Sequence, residues 1–197
     1  LMHIEYGNFC INQQWNFDKA QGIVDDYLSS NNFYDPDTDG WAERLKEDMQ
    51  AFADFIFRHN VKALAIEMVL CSEAFEFATA IDLVCMMDID VPGKDMGDQY
   101  KTGPRKGEGR DVMVKKRIRG IVNFKSGRKG FYESNETQLE LERMVWNENY
   151  PELPIDRVYN FAPTDWRNAS GDKFKLADQT NKANKIEMEA MLMLASE

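Results

Sequence analysis

Histidine and cysteine are scarce in this 197-residue chain, with two of the first and three of the second. His3 and His59 are too few for a His-rich metal site or an obvious Ser-His-Asp triad. Cys10, Cys71 and Cys85 include no Cys-x-x-Cys pair, which argues against structural zinc. An odd, scattered set also argues against a disulfide framework and for a reducing, cytoplasmic compartment. No apolar run reaches the ~18 residues that would span a bilayer, so no membrane role is expected. The first residues lack a basic region followed by an apolar core, so no secretory leader is expected. Positive charge is also short: the formal net charge is −10, which taken alone disfavours a phosphate-backbone partner.

What is present suits a globular protein. Hydrophobic residues make up 43% and charged residues 29%, and 12 Phe, 4 Trp and 7 Tyr give ample surface to bury. The length suits one domain with appendages. Residues 1–40 read as a polar N-terminal extension with a helical stretch near 18–29 and a turn at Asp35-Pro36-Asp37-Thr38-Asp39-Gly40, where Asp39 can cap the next helix. Trp41, Leu45, Met49, Phe52, Phe55 and Ile56 recur every three or four residues, which predicts an amphipathic helix to His59, ended by Asn60. Strands are predicted over 61–71, 75–87 and 117–125. The link 90–116, with five Gly and two Pro, reads as a loop insertion or an extended hairpin tip. A second helix (134–148), a fourth strand (156–162), a polar linker (163–180) and a terminal helix (184–196) complete the chain. The expected division is an extension (1–40), a core (41–162) and a C-terminal linker and helix (163–197). The order of elements describes an α/β fold, a small mixed sheet flanked by helices.

Four polar features fall on this scaffold. Glu67 lies in the first predicted strand, and Asp82 interrupts the apolar Ala-Ile-Asp-Leu-Val of the second. A carboxylate there is costly to bury unless something binds it. Asn123 and Lys125 end the third strand two residues apart, so both point to one face. Gln138 begins the following helix. Oxygen ligands of this kind suit a hard divalent cation, and a lysine beside them can orient or deprotonate a water. Glu73 and Glu76 compete with Glu67 as the source of the first carboxylate. The blander alternatives are an Asp82 held by backbone donors and a Lys125 that only guards a strand end.

These residues resemble the PD-(D/E)XK nuclease superfamily, in particular its RecB-like exonuclease branch with phage-borne members. That family has an early Glu, a Gly-x-x-Asp strand, an Asp-x-Lys strand followed by Ser/Thr-Gly, and a Gln-x-x-x-Tyr helix. Glu67, Asp82, Lys125-Ser126-Gly127 and Gln138 match. Thr79 replaces the usual Gly, Glu142 stands where Tyr is usual, and Asn123 replaces Asp or Glu. The resemblance implies a restriction-endonuclease-like core and metal-dependent hydrolysis of DNA. Asp82, the Asn123 side chain and the Phe124 carbonyl would hold Mg2+ or Mn2+ with Glu67 nearby. Lys125 would position the water and Gln138 would orient Lys125 or the substrate. It also implies a possible protein partner in recombination, repair or phage replication. No iron–sulfur cluster is expected, because no Cys follows Cys85. Asn123 removes a unit of negative charge, as a natural variation or an engineered one, and is expected to weaken metal binding and cleavage.

The distribution of charge modifies the total. Residues 94–129 hold twelve Lys or Arg against four Asp or Glu. Lys115, Lys116, Arg117, Arg119, Arg128 and Lys129 are therefore the candidate contacts to a nucleic-acid backbone, in a loop expected at the same end of the sheet as Lys125. Two alternatives remain: an inactive nuclease fold that binds DNA or recruits a partner, and a protein-interaction domain with no nucleic-acid role.

Overall fold

A computed structural model describes residues 2–30, 40–125, 134–163 and 172–195. Three helices come first: α1 (Met2–Asn12), α2 (Lys19–Ser30) and α3 (Trp41–Arg58). The strands β1 (Lys62–Ser72), β2 (Phe77–Gln99) and β3 (Gly109–Phe124) follow, then α4 (Ser134–Asn149), β4 (Arg157–Pro163), β5 (Phe174–Asp178) and α5 (Lys185–Ala195).

Helix α3 forms where the apolar spacing predicts it and buries Met49, Phe52, Phe55 and Ile56. Asp39 lies outside the described residues. The helix starts at Gly40, whose φ of 85° is open to glycine and costly for most other residues. Asn60 ends it in the left-handed region at φ 47°, a conformation that Asn tolerates better than most residues.

The strands make one five-stranded sheet in the order β1-β2-β3-β4-β5. Pairs β1–β2, β2–β3 and β4–β5 are antiparallel, and β3–β4 is parallel. A parallel pair needs a crossover, and α4 lies in it. On one face α1 and α3 cover Leu83, Cys85, Met87, Val122, Tyr159 and Phe161. On the other, Leu139, Val145 and Trp146 of α4 pack with Val84, Ile121 and Val158. Burial on both faces explains why the middle of β2 reads as a continuous apolar run rather than an alternation.

Two stretches depart from the sequence reading, α1 and β5, and a third takes the hairpin form that it offered as one of two alternatives. Helix α1 is not foreseen, yet its Tyr6 is buried, donates a hydrogen bond to the Val61 carbonyl at 3.2 Å and meets Phe52 edge-on. The stretch 90–116 forms the hairpin, with β2 and β3 paired out to Asp95–Arg110 and Gln99–Gly109. The stretch read as a linker contains β5, which pairs with β4 from Tyr159–Asp178 to Pro163–Phe174.

Candidate active site

The site forms where β2 and β3 lie under α4. The pairs Leu83–Val122 and Val84–Ile121 fix the register. Asp82 shares the face of Val84, and Asn123 that of Ile121; this is the face α4 covers. Asp82 accepts the backbone N–H of Phe124 on Oδ2 at 2.7 Å, so the carboxylate holds the end of β3. Lys125 anchors that end to the neighbouring strand, its N–H donating to the Phe161 carbonyl at 2.8 Å.

Gln138 and Glu142 stand one helical turn apart on α4 and so project to one side. Gln138 Nε2 donates to Glu142 Oε1 at 2.8 Å, and Lys125 Nζ donates to Gln138 Oε1 at 3.2 Å. Asn123, 4% exposed, directs Nδ2 at Glu142 Oε1 across 3.5 Å. Four of the five predicted side chains therefore converge: Asp82, Asn123, Lys125 and Gln138.

Glu142 is the functional candidate that the sequence reading passed over. It is fully buried, and its Oε2 has no hydrogen-bond partner. Burial pushes its carboxyl up to about 8; the negative charge of Asp82 adds to the shift, while Gln138 and Lys125 oppose it. The signal was present, because Leu139, Glu142, Val145 and Trp146 share the three-to-four spacing of a buried helix face.

Glu67 sits between the pairs Ile66–Leu83 and Met68–Ile81, level with Asp82 on the adjoining strand. Its side chain is exposed and its backbone is left-handed at φ 52°. Such a conformation costs a non-glycine residue on the order of 1 kcal/mol. Among the described residues no three His, Cys, Asp or Glu side chains are grouped to hold a metal ion. Glu67, Asp82 and Glu142 thus do not form a three-carboxylate centre, and the nearest oxygen ligands are two carboxylates and the Asn123 amide. The buried, unpartnered Glu142 Oε2 fits a cation better than it fits a solely apolar setting.

The expected basic loop is not at this end of the sheet. Strand β3 starts at the hairpin tip and runs away from it, so Arg110 precedes Asn123 by thirteen residues. At ~3.3 Å per residue the two are roughly 40 Å apart along the strand. Much of the positive charge is also paired. Lys94 and Arg105 bind Asp111, Arg110 binds Asp98 at 3.2 Å, and Lys115 lies 3.7 Å from Asp90. Arg117 donates to Asp88 at 3.0 Å and to the Asn60 carbonyl at 2.7 Å. Arg119 Nη1 donates to the Pro154 carbonyl at 2.7 Å. Lys116 has no ion-pair partner among the described residues, and Arg128 and Lys129 lie outside them, with Ser126-Gly127. The surplus counted over 94–129 omits Asp88 and Asp90, which cross-strand pairing sets opposite Arg117 and Lys115.

Among the described residues, no helix is long and apolar enough to cross a membrane. No family model matches the chain, and no curated protein matches it. Fold and site together define an α/β domain with a mixed sheet, carrying a partly buried polar cluster at the junction of two strands and a crossover helix.

Proposed function

We propose that the chain is a metal-dependent nuclease domain that hydrolyses phosphodiester bonds in DNA. The observation that carries the reading is the convergence of Asp82, Asn123, Lys125 and Gln138, which come from two strands and a helix. Asp82 and the Asn123 amide oxygen would hold Mg2+ or Mn2+, with the Phe124 carbonyl as a further oxygen donor and Glu67 on the adjoining strand outside the ligand set. When bound, such a cation offsets the negative charge that develops on a phosphate undergoing attack.

The chain's own side chains divide the remaining tasks. Lys125 is a compact cation with three N–H donors. One donor engages Gln138, which fixes the ammonium group and leaves two donors for an attacking water and a phosphate oxygen. Gln138 acts through Lys125 and Glu142 and is a positioning residue. Attack by the water oxygen on phosphorus forms the new P–O bond as the bond to one ester oxygen breaks; the water gives up a proton to solvent and the departing oxygen takes one up from solvent, so the protons balance.

The second reading is a nuclease fold without activity that binds DNA or a protein partner. The neutral Asn123 favours it, because the strand supplies one carboxylate fewer to the cation. Incubation of linear and circular DNA with Mg2+, Mn2+ or EDTA separates the two. The active reading requires metal-dependent cleavage that Asp82→Ala and Lys125→Ala abolish. If neither the present chain nor Asn123→Asp cuts any DNA form, it is wrong.

A further inference from the structure

We infer that Glu142 supplies from α4 the acidic ligand that β3 lacks at Asn123, so that Asp82, the Asn123 amide oxygen and Glu142 together bind one divalent cation. The inference rests on the site just described and concerns cation binding alone, whatever reaction follows. Its first support is placement. Glu142 Oε1 faces the Asn123 amide from the opposite side at 3.5 Å, through the amide nitrogen, and a half-turn of that amide turns its oxygen to the same carboxylate. The register of β2 and β3 sets Asp82 directly across from Asn123, on the same face of the sheet beneath α4.

The second support is the unmet bonding of a buried group. Glu142 is completely enclosed, and one of its two oxygens has no partner. Without a counter-ion, a carboxyl enclosed in this way keeps its proton, because the bare anion is destabilising by several kcal/mol. Gln138 holds the other oxygen, which fixes the carboxylate without satisfying it. An apolar side chain would fill this face of α4 better if packing were the only requirement, because Leu139, Val145 and Trp146 beside it are all buried. A divalent cation removes the anomaly, since it neutralises Asp82 and Glu142 together and gives the free oxygen a partner. Asn123 then belongs to the ligand set. A neutral amide oxygen is an accepted ligand for a hard cation, and its neutrality stops a third carboxylate from crowding the site.

The test is Mn2+ binding by the full chain, followed by titration calorimetry and electron paramagnetic resonance, with thermal melts with and without Mn2+. The chain should bind one Mn2+ and melt at a higher temperature with it. Glu142→Gln keeps the shape of the side chain and should lower the affinity by about tenfold to a hundredfold. Glu152→Gln, on the exposed surface, should change nothing. Asn123→Asp combined with Glu142→Gln returns a carboxylate from the strand and should restore binding. The inference is overturned if the chain binds no Mn2+, if Glu142→Gln binds as the parent does, or if the double variant fails to recover. Mn2+ binding of the expected pattern without DNA cleavage removes the nuclease reading alone. Cleavage that Glu142→Gln leaves intact, together with unchanged Mn2+ affinity, removes this inference alone.

Discussion

Asp82 and Phe124 are joined by a hydrogen bond from the Phe124 backbone N–H to the Asp82 carboxylate at 2.7 Å. The bond makes Asp82 a structural clamp on the end of β3 as well as a candidate ligand. The two roles separate by substitution. Asp82→Ala leaves the N–H without its acceptor and should destabilise the fold by about 1–3 kcal/mol. Asp82→Asn keeps an acceptor oxygen and should fold almost normally while losing Mn2+ affinity. Chemical denaturation of both variants in EDTA checks this, and equal stability losses would deny the clamp.

Glu142 sets a pH dependence whose sign is definite. Its carboxyl lies at about 8 in the fold, against 4.5 for an ordinary glutamate. The folded state therefore holds a proton that the unfolded state releases between these values. Stability in EDTA should fall as pH rises from 4.5 to 8, by on the order of a few kcal/mol. Glu142→Gln has no such proton to lose, so its advantage over the parent should grow with pH across that window. Parallel stability curves for the two proteins from pH 5 to 8.5 would refute it.

Lys125 divides binding from reaction. It lies beside the candidate ligands, with Gln138 as its hydrogen-bond partner. Under the nuclease reading, Lys125→Met should retain Mn2+ binding and lose cleavage by about 10²–10⁴-fold. Gln138→Leu should reduce cleavage less, since the lysine remains but is no longer fixed. Comparison of single-turnover rates at saturating Mn2+ makes the distinction, and unaltered rates in Lys125→Met exclude the role.

The basic residues of β3 should not behave alike. Arg117 ties Asn60 and Asp88 together, so Arg117→Gln should cost about 1 kcal/mol of stability. Lys116→Gln should leave stability unchanged. If DNA lies along this strand, Lys116→Gln should reduce the salt slope of binding by about one unit. Thermal melts and salt-dependent gel shifts of the two variants test the difference.

The parts legible in the sequence were those that local pattern dictates. The three-to-four spacing from Trp41 to Ile56 specified α3, and the apolar runs specified the middle of β1, β2 and β3. Strand β5 was not legible because Phe-Lys-Leu-Ala-Asp buries only Phe174 and becomes a strand by pairing with β4. The outer hairpin was ambiguous because its Gly, Pro, Asp and Lys residues have loop character. Cross-strand ion pairs such as Lys94 with Asp111 and Arg110 with Asp98 join its two arms. The same pairing defeats a charge count taken along the chain. Asp82, Asn123, Lys125 and Gln138 were legible as motif residues, whereas Glu142 became visible through the neighbours that enclose it.

Helix α4 gives the polar cluster an unusual dependence on hydrocarbon. Asp82 and Asn123 stand on the sheet, Gln138 and Glu142 stand on the helix, and the gap between the two sets is spanned by apolar packing. Leu139, Val145 and Trp146 resting on Val84, Ile121 and Val158 act as the spacer that sets how far apart the oxygen atoms lie. If the cluster holds a cation as proposed, trimming or thickening this greasy layer would change which ion size fits without altering a single polar side chain.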